Sequence, residues 1–314
     1  MTRAFLFPGQ GSQIVGMGKD LADTFATARA VFQEVDDALS QKLSQLMWEG
    51  PEADLTLTEN AQPALMATSL AVARVIEAET GKRLADLGVA VAGHSLGEYS
   101  ALAAVGALTV SDTARLLKRR GQAMQKAVPL GTGAMAALLG VEISVAQEIA
   151  EAAAQGEVCD IANDNGGGQV VLSGTAGAIA RAVAFAPTKG VKRALPLPVS
   201  APFHCRLMQP AADTMSEALA EVAMVRPSLP VVINVTARPE QDTDKLRRSL
   251  VEQVTGRVRW NESISHMANV MGISQFVELG SGKVLTGLVK RIAKDATGLS
   301  ISGPADIEAF LKTL

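Results

Sequence analysis

Cysteine is nearly absent from this 314-residue chain: there are two, Cys159 and Cys205, and no CxxC pair. That excludes a disulfide framework and a cysteine-based zinc site. Histidine is almost as scarce, and His94, His204 and His266 lie too far apart in sequence to give a metal-ligand pattern. Aromatic residues make up 4% of the chain, which argues against base stacking as a main activity. Neither sign of charge dominates. The 29 basic and 32 acidic residues are interspersed, the net charge is -3, and no polyanion-binding surface spans the whole molecule. No apolar run approaches membrane-crossing length. The first one, ending at Phe7, meets Pro8-Gly9 too soon to be a signal peptide. The expectation is a reduced, cytoplasmic protein with no nucleic-acid or membrane partner.

Alanine, leucine, valine and glycine are the commonest residues, and 48% apolar content marks a globular chain. Its length allows one large domain or a body with a smaller insert. Arg3–Phe7 reads as a buried strand stopped by Pro8-Gly9, and Gly88–Ala92 as another. Helical patterns cover about Ala22–Trp48, Gln62–Glu79, Gly97–Val105 and Asp112–Ala127. Strand and helix alternating in this way predict an α/β fold with a parallel sheet covered on both faces.

Between Thr132 and Leu197 the rhythm becomes β-α-β-β-α-β, the order of a ferredoxin-like unit. Its strands are read at Ala134–Leu139, Val158–Asn163, Gln169–Ser173 and Lys192–Leu197, and its helices at Val145–Ala154 and Ala176–Phe185. Glycines before it and prolines after it mark it as an insert at 131–197 in a body made of 1–130 and 198–314. Farther on, a helix is read at Cys205–Val222 and strands at Val231–Val235 and Phe276–Leu279.

Gly93-His94-Ser95-Leu96-Gly97 is a GxSxG sequence lying directly between a predicted strand and a predicted helix. The glycines permit a sharp turn that lifts the Ser95 hydroxyl to the sheet's carboxyl edge, beside a helix N-terminus that can stabilise an oxyanion. The bland alternative is a chance match in a glycine- and alanine-rich chain. A nucleophilic serine needs a base. His94 should point away from the hydroxyl on so tight a turn, and His266 lies in a polar helical stretch facing solvent. His204 follows the Ser200-Ala201-Pro202-Phe203 turn at the domain junction, so elimination and location make it the base.

Arg120 falls on the apolar stripe of its helix with Leu116, Leu117, Met124 and Ala127. An inward guanidinium must be paired. Either it makes a structural ion pair, or it grips a substrate carboxylate with its fork. Gly9-Gln10-Gly11-Ser12-Gln13 is too short a glycine pattern for a dinucleotide or P-loop site, but it can bring a backbone N–H up to a nucleophile.

Together these segments resemble the malonyl-CoA:acyl-carrier-protein transacylase family. The resemblance rests on Phe7–Gln13, Gly93–Tyr99, Gly133–Ala136, Lys192–Ser200, His204 and Gly282–Leu288, and runs from Met1 to about Arg291. It implies an α/β-hydrolase-like body with a ferredoxin-like insert, Ser95 as nucleophile and His204 as base. The backbone N–H groups of Gln10 and Leu96 would form the oxyanion hole, and a main-chain carbonyl at Gln253 would orient His204. Arg120 would hold the malonyl carboxylate, with Met124 and Phe203 also at the acyl site. The implied reaction is ping-pong malonyl transfer from malonyl-CoA to acyl carrier protein for fatty acid synthesis, with no metal or redox cofactor.

Three departures stand out. Phe203 replaces a serine common before the histidine. Gly256-Arg257-Val258 replaces Asn-Pro-Val, which leaves the loop orienting His204 open to change. Asn165-Gly166-Gly167-Gly168-Gln169 replaces Asn-Ser-Pro-Gly-Gln, a more mobile cleft edge. Since carrier proteins are acidic, a basic rim is expected from Lys192, Arg193, Arg257, Arg259, Lys283, Lys290 and Arg291. A serine esterase or thioesterase shares the elbow and base, and a non-enzymatic α/β scaffold is the other alternative.

Overall fold

Along Arg3–Phe7, Ala4 and Leu6 face one side of a sheet while Phe5 and Phe7 face the other, and all four are fully buried. A strand buried on both faces belongs in the middle of a parallel sheet covered twice, and the computed structural model, which describes residues 2–314, places it there. In chain order the strands are β1 (Arg3–Phe7), β2 (Ala90–Gly93), β3 (Gly133–Leu139), β4 (Cys159–Asp164), β5 (Gln169–Thr175), β6 (Arg193–Pro196), β7 (Val231–Val232), β8 (Pro239–Glu240), β9 (Gln275–Leu279) and β10 (Thr297–Ile301). Six form the central sheet in the order β10-β9-β1-β2-β7-β8, parallel except for β8. One face packs on the buried helix Thr58–Thr80, and the other on Trp260, Ile264, Met267 and Leu288.

The other four strands form an antiparallel sheet in the order β4-β5-β3-β6, with helices Ile143–Ala154 and Ala176–Phe185 over a core of its own. That is the strand order of a ferredoxin-like unit. Its end is stitched to the body: the backbone N–H of Val258 donates to Ala162 O at 2.8 Å, and that of Asp164 to Val258 O at 3.0 Å. The glycine turn at 166–168 is left-handed at all three residues. It lies so near the helix Val284–Ile292 that a Cβ on Gly166 would come within 2.4 Å of the Ile292 side chain. Glycine there provides close approach as well as freedom.

Two expected elements differ. The helical stretch Ala22–Trp48 is three helices, Lys19–Thr24, Ala26–Leu39 and Leu43–Glu49. The chain is extended at Phe25 and left-handed at Ser40, where backbone geometry overrides the apolar pattern. The strand expected at Val231–Val235 stops at Val232, because the Asn234 backbone N–H donates to the Glu98 side chain and its carbonyl accepts from Arg259 instead of extending the ladder with β2.

Candidate active site

Ser95 directly follows the Gly93-His94 end of β2 and is the N-cap of the helix Leu96–Ala104. The turn is tight enough that a Cβ on Gly93 would lie 1.9 Å from the Gly97 carbonyl carbon, and one on Gly97 would lie 2.2 Å from Phe7 O. The glycines therefore let β1, β2 and the helix meet. Strain goes to the serine, which sits at φ 53°, ψ -111°. His204 also has a positive φ, of 57°. Such backbones persist only where the surroundings impose them, and they gather at functional sites.

Ser95 Oγ and His204 Nε2 are 2.8 Å apart. Across the ring, Nδ1 lies 2.8 Å from Gln253 O and 3.2 Å from Gly256 O. Two carbonyls can only accept, so the ring proton sits on Nδ1 and Nε2 offers its lone pair to the serine hydroxyl. Among the described residues, no carboxylate bonds the ring. Burial, and then the charge of Arg120, push the His204 imidazolium pKa down to about 3, so the ring is neutral.

Arg120 is 1% exposed. Its Nη1 donates to Gln62 Oε1 at 2.8 Å, and its Nη2 donates to Gln253 Oε1 at 2.9 Å and to Ser95 Oγ at 3.1 Å. Among the described residues no carboxylate lies within ion-pair distance of it, and its Nε–H has no acceptor. The structural ion pair considered from the sequence is therefore not what holds this guanidinium. Amides do.

A cleft of about 390 Å³ brings together Gln10, Ser95, Leu96, Arg120, Met124, Phe203 and His204. Its far wall is Leu197-Pro198-Val199, where the chain leaves the insert. Gln253 stands behind the cleft, holding His204 with its carbonyl and Arg120 with its side chain. His94 points the other way, with Nε2 2.9 Å from Asn165 Oδ1 and its ring tilted on Trp260. His266 is partly exposed on its helix.

Sequence reasoning missed Gln62, Thr58, Glu98 and Asn234. Thr58 Oγ1 donates to Gln10 Oε1 at 2.7 Å and receives Gln62 Nε2 at 3.1 Å, which ties the Gln10 loop to Arg120. A glutamine within the alanine-rich start of a buried helix was the available signal for Gln62. In the expected basic rim, Arg257 and Arg259 are both paired with Glu262. Lys192, Arg193, Lys283, Lys290 and Arg291 are exposed.

Comparison with known proteins gives the family. The model of the acyl transferase domain matches residues 4–302. The chain belongs to the acyl transferase family. A curated relative, the malonyl CoA-acyl carrier protein transacylase of Escherichia coli (strain K12), is 44% identical over 309 residues, covering 98% of each chain. The crystal structure of an acyl-carrier-protein-S-malonyltransferase from Bartonella henselae is 54% identical with a TM-score of 0.97, covering 100% of this acyl transferase and 99% of that chain. A malonyl-transacylase in complex with its type II PKS acyl-carrier protein is 40% identical with a TM-score of 0.96, and each chain is fully covered. No helix of this acyl transferase is long and apolar enough to cross a membrane, among the described residues.

Proposed function

We propose that this acyl transferase moves malonyl from malonyl-CoA to the phosphopantetheine thiol of an acyl carrier protein, in the cytoplasm, supplying extender units for fatty acid synthesis. One observation carries the substrate class. A fully buried guanidinium, bonded only to neutral acceptors, opens onto the cleft within hydrogen-bond reach of the nucleophile. A neutral acyl chain has no use for it, whereas a carboxylate two carbons from the reacting carbonyl does.

In the first half-reaction Ser95 passes its proton to His204 Nε2 and its oxygen bonds to the thioester carbon. The oxyanion is taken by the N–H groups of Gln10 and Leu96, which have no acceptor among the described residues. The C–S bond breaks, and the CoA thiolate leaves with the proton from His204. In the second, His204 takes the carrier's thiol proton, the sulfur attacks the serine ester, and Ser95 recovers its proton. No metal or redox group takes part in these steps.

The free site holds Ser95 Oγ on Arg120. An arriving malonyl carboxylate would draw that donor away and offset the charge that lowers His204 basicity. Phe203, beside the base in the cleft wall, would crowd an α-methyl branch. Body 1–130 and 198–314 supplies the machinery, and insert 131–197 closes the cleft. The exposed Lys192 and Arg291 both lie against the glycine turn, Lys192 through Gly140, and present positive charge to an acidic carrier.

Intact-mass analysis after separate exposure to malonyl-CoA, acetyl-CoA and methylmalonyl-CoA tests the assignment. A malonyl adduct on Ser95, stable until a carrier thiol discharges it, is expected. Prompt hydrolysis without carrier would mean an esterase. Phe203→Ser should relax the bias against methylmalonyl, which shape alone sets at roughly 10–200-fold; an unchanged ratio would remove Phe203 as the gate.

A further inference from the structure

Ser95-Leu96-Gly97-Glu98 has the spacing of a helix capping box, in which the serine oxygen takes an N–H of the first turn and the glutamate reaches back to the serine's own N–H. Neither bond is made here. The Ser95 side chain caps nothing, because its oxygen is shared between His204 and Arg120. Its backbone N–H donates instead to Asn234 Oδ1 at 2.8 Å. Asn234 Nδ2 donates to Gly93 O at 2.8 Å, so one side-chain amide spans the turn from the residue two before the nucleophile to the nucleophile itself. Glu98 turns away from the serine and accepts the backbone N–H of Asn234 on Oε2 at 2.7 Å. Gln253 adds a bond from its Nε2 to Ser95 O at 3.1 Å.

Glu98 and Asn234 are both 0% exposed, and the second carboxylate oxygen of Glu98 has no partner among the described residues. A carboxyl group kept fully buried with one oxygen unbonded is costly in either protonation state. The helix would be served by an ordinary capping box without that cost. What the diverted bonds achieve is specific: the strained Ser95 backbone is fixed from outside its own helix, and its hydroxyl stays free for the base.

We propose that Glu98 and Asn234 are the positioning unit of the nucleophile, Glu98 fixing Asn234 and Asn234 carrying both ends of the elbow. The inference rests on Ser95 being the nucleophile and not on malonyl being the acyl group. The unit touches no acyl atom, so it should act on the rate of acylation and not on the choice of thioester. That separates it from Arg120, which should act on the choice.

The test is single-turnover acylation of Ser95 by malonyl-CoA and acetyl-CoA at varied thioester concentration. Asn234→Ala should slow the maximal rate roughly 100-fold for both donors, the scale of loss when a reacting group is displaced by about an ångström. The malonyl-to-acetyl ratio and the half-saturating concentrations should hold within about twofold. Asn234→Asp keeps size and the acceptor for Ser95 N–H but loses the donor to Gly93 O, and should be slowed in the same way. This second variant covers the case in which the alanine protein does not fold. Glu98→Ala should slow both donors, and Glu98→Gln, which keeps an oxygen for the Asn234 N–H, should recover most of the loss. Wild-type acylation rates in a folded Asn234→Asp, or a shifted donor ratio in any variant, overturn the proposal. A wild-type protein that acetyl-CoA labels and malonyl-CoA does not would defeat the function proposed above and leave this inference standing.

Discussion

The molecule makes the same kind of turn twice. Leaving β2, the chain passes through Gly93-His94-Ser95-Leu96-Gly97 into a helix. Leaving β9 it passes through Gly280-Ser281-Gly282-Lys283 into the helix Val284–Ile292. Both serines stand at the carboxyl end of the parallel sheet, where open α/β folds place their ligands. At the second turn the left-handed backbone is carried by glycines, Gly280 at φ 127° and Gly282 at φ 84°. Ser281 is buried and donates its hydroxyl to Ser12 O at 2.6 Å. Glu278, just before, satisfies the helix N-terminus by accepting the N–H groups of Leu285 and Thr286. At the first turn the glycines are used for close approach, the serine takes the left-handed conformation, and Glu98 leaves its own helix uncapped. A turn whose glycines absorb the strain and whose glutamate caps is a joint. A turn whose serine bears the strain, facing a histidine, can do chemistry.

The largest effect should separate the two serines. Ser95→Ala removes the atom that is acylated, so intact-mass analysis should show no adduct from any thioester. His204→Ala should slow acylation by roughly 10²–10⁴-fold, the usual worth of a positioned general base. Ser281→Ala loses one buried hydrogen bond, about 1 kcal/mol of stability in urea unfolding, and should acylate at the wild-type rate. If Ser281→Ala abolished the adduct and Ser95→Ala did not, the comparison would be inverted.

How much of this was legible beforehand follows from how local each signal was. β1 and the helix Ala176–Phe185 end at the residues expected from short apolar runs and their punctuation. The β-α-β-β-α-β rhythm became the four-stranded sheet because each turn and strand of that unit is decided within a few residues. The GxSxG turn was readable because glycine spacing and flanking elements sit in one short segment. The early end of β7 depends on partners far along the chain. So does the cage around Arg120, whose acceptors Gln62 and Gln253 lie 58 and 133 residues away. Arg257 and Arg259 look like two free cations until Glu262 is seen to pair with both, which leaves one net positive charge. β10 and the helix Pro304–Leu311 follow the last strand that could be recognised from pattern, and β10 completes the sheet edge beside β9.

The second prediction asks what else makes the first turn reactive. Arg120 bonds Ser95 Oγ directly, and among the described residues no guanidinium bonds Ser281. Arg120→Ala should leave a malonyl carboxylate unpaired in a dry cleft, a loss of about 2–5 kcal/mol in malonyl acylation. Acetyl-CoA carries no such charge. Its acylation should hold or improve, because the same change frees the serine oxygen and relieves the charge that lowers His204 basicity. Arg120→Lys should restore malonyl transfer only in part, being a point charge without the fork. Equal losses for both donors would make Arg120 structural and remove the main physical support for malonyl.

The last effect concerns the two glutamates, and it is read in stability against pH. Burial raises the Glu98 carboxyl pKa from 4.5 to about 7, and also raises that of Glu278. Between pH 4.5 and 7 the folded protein therefore holds a proton on Glu98 that the unfolded chain has lost, so Glu98 makes stability fall as pH rises. His204 acts the other way. Its pKa drops from 6.5 to about 3 on folding, so between those values the unfolded chain holds the extra proton and stability rises with pH. The two contributions overlap from 4.5 to 6.5 and offset each other, leaving the wild-type curve shallow there. Glu98→Gln removes the falling part. Its unfolding free energy should climb across that window, and its difference from wild type should change by about 3 kcal/mol by pH 7. Glu278→Gln should remove a falling contribution too and, in addition, lower the curve by about 1–3 kcal/mol, since an amide –NH2 would meet the N–H of Leu285 or Thr286 where a carboxylate oxygen now accepts it. Urea midpoints at pH 5, 6 and 7 separate the change of slope, expected in both variants, from the added displacement, expected in Glu278→Gln. A parallel displacement in Glu98→Gln would mean that its carboxyl ionises in the folded protein as it does in the unfolded chain.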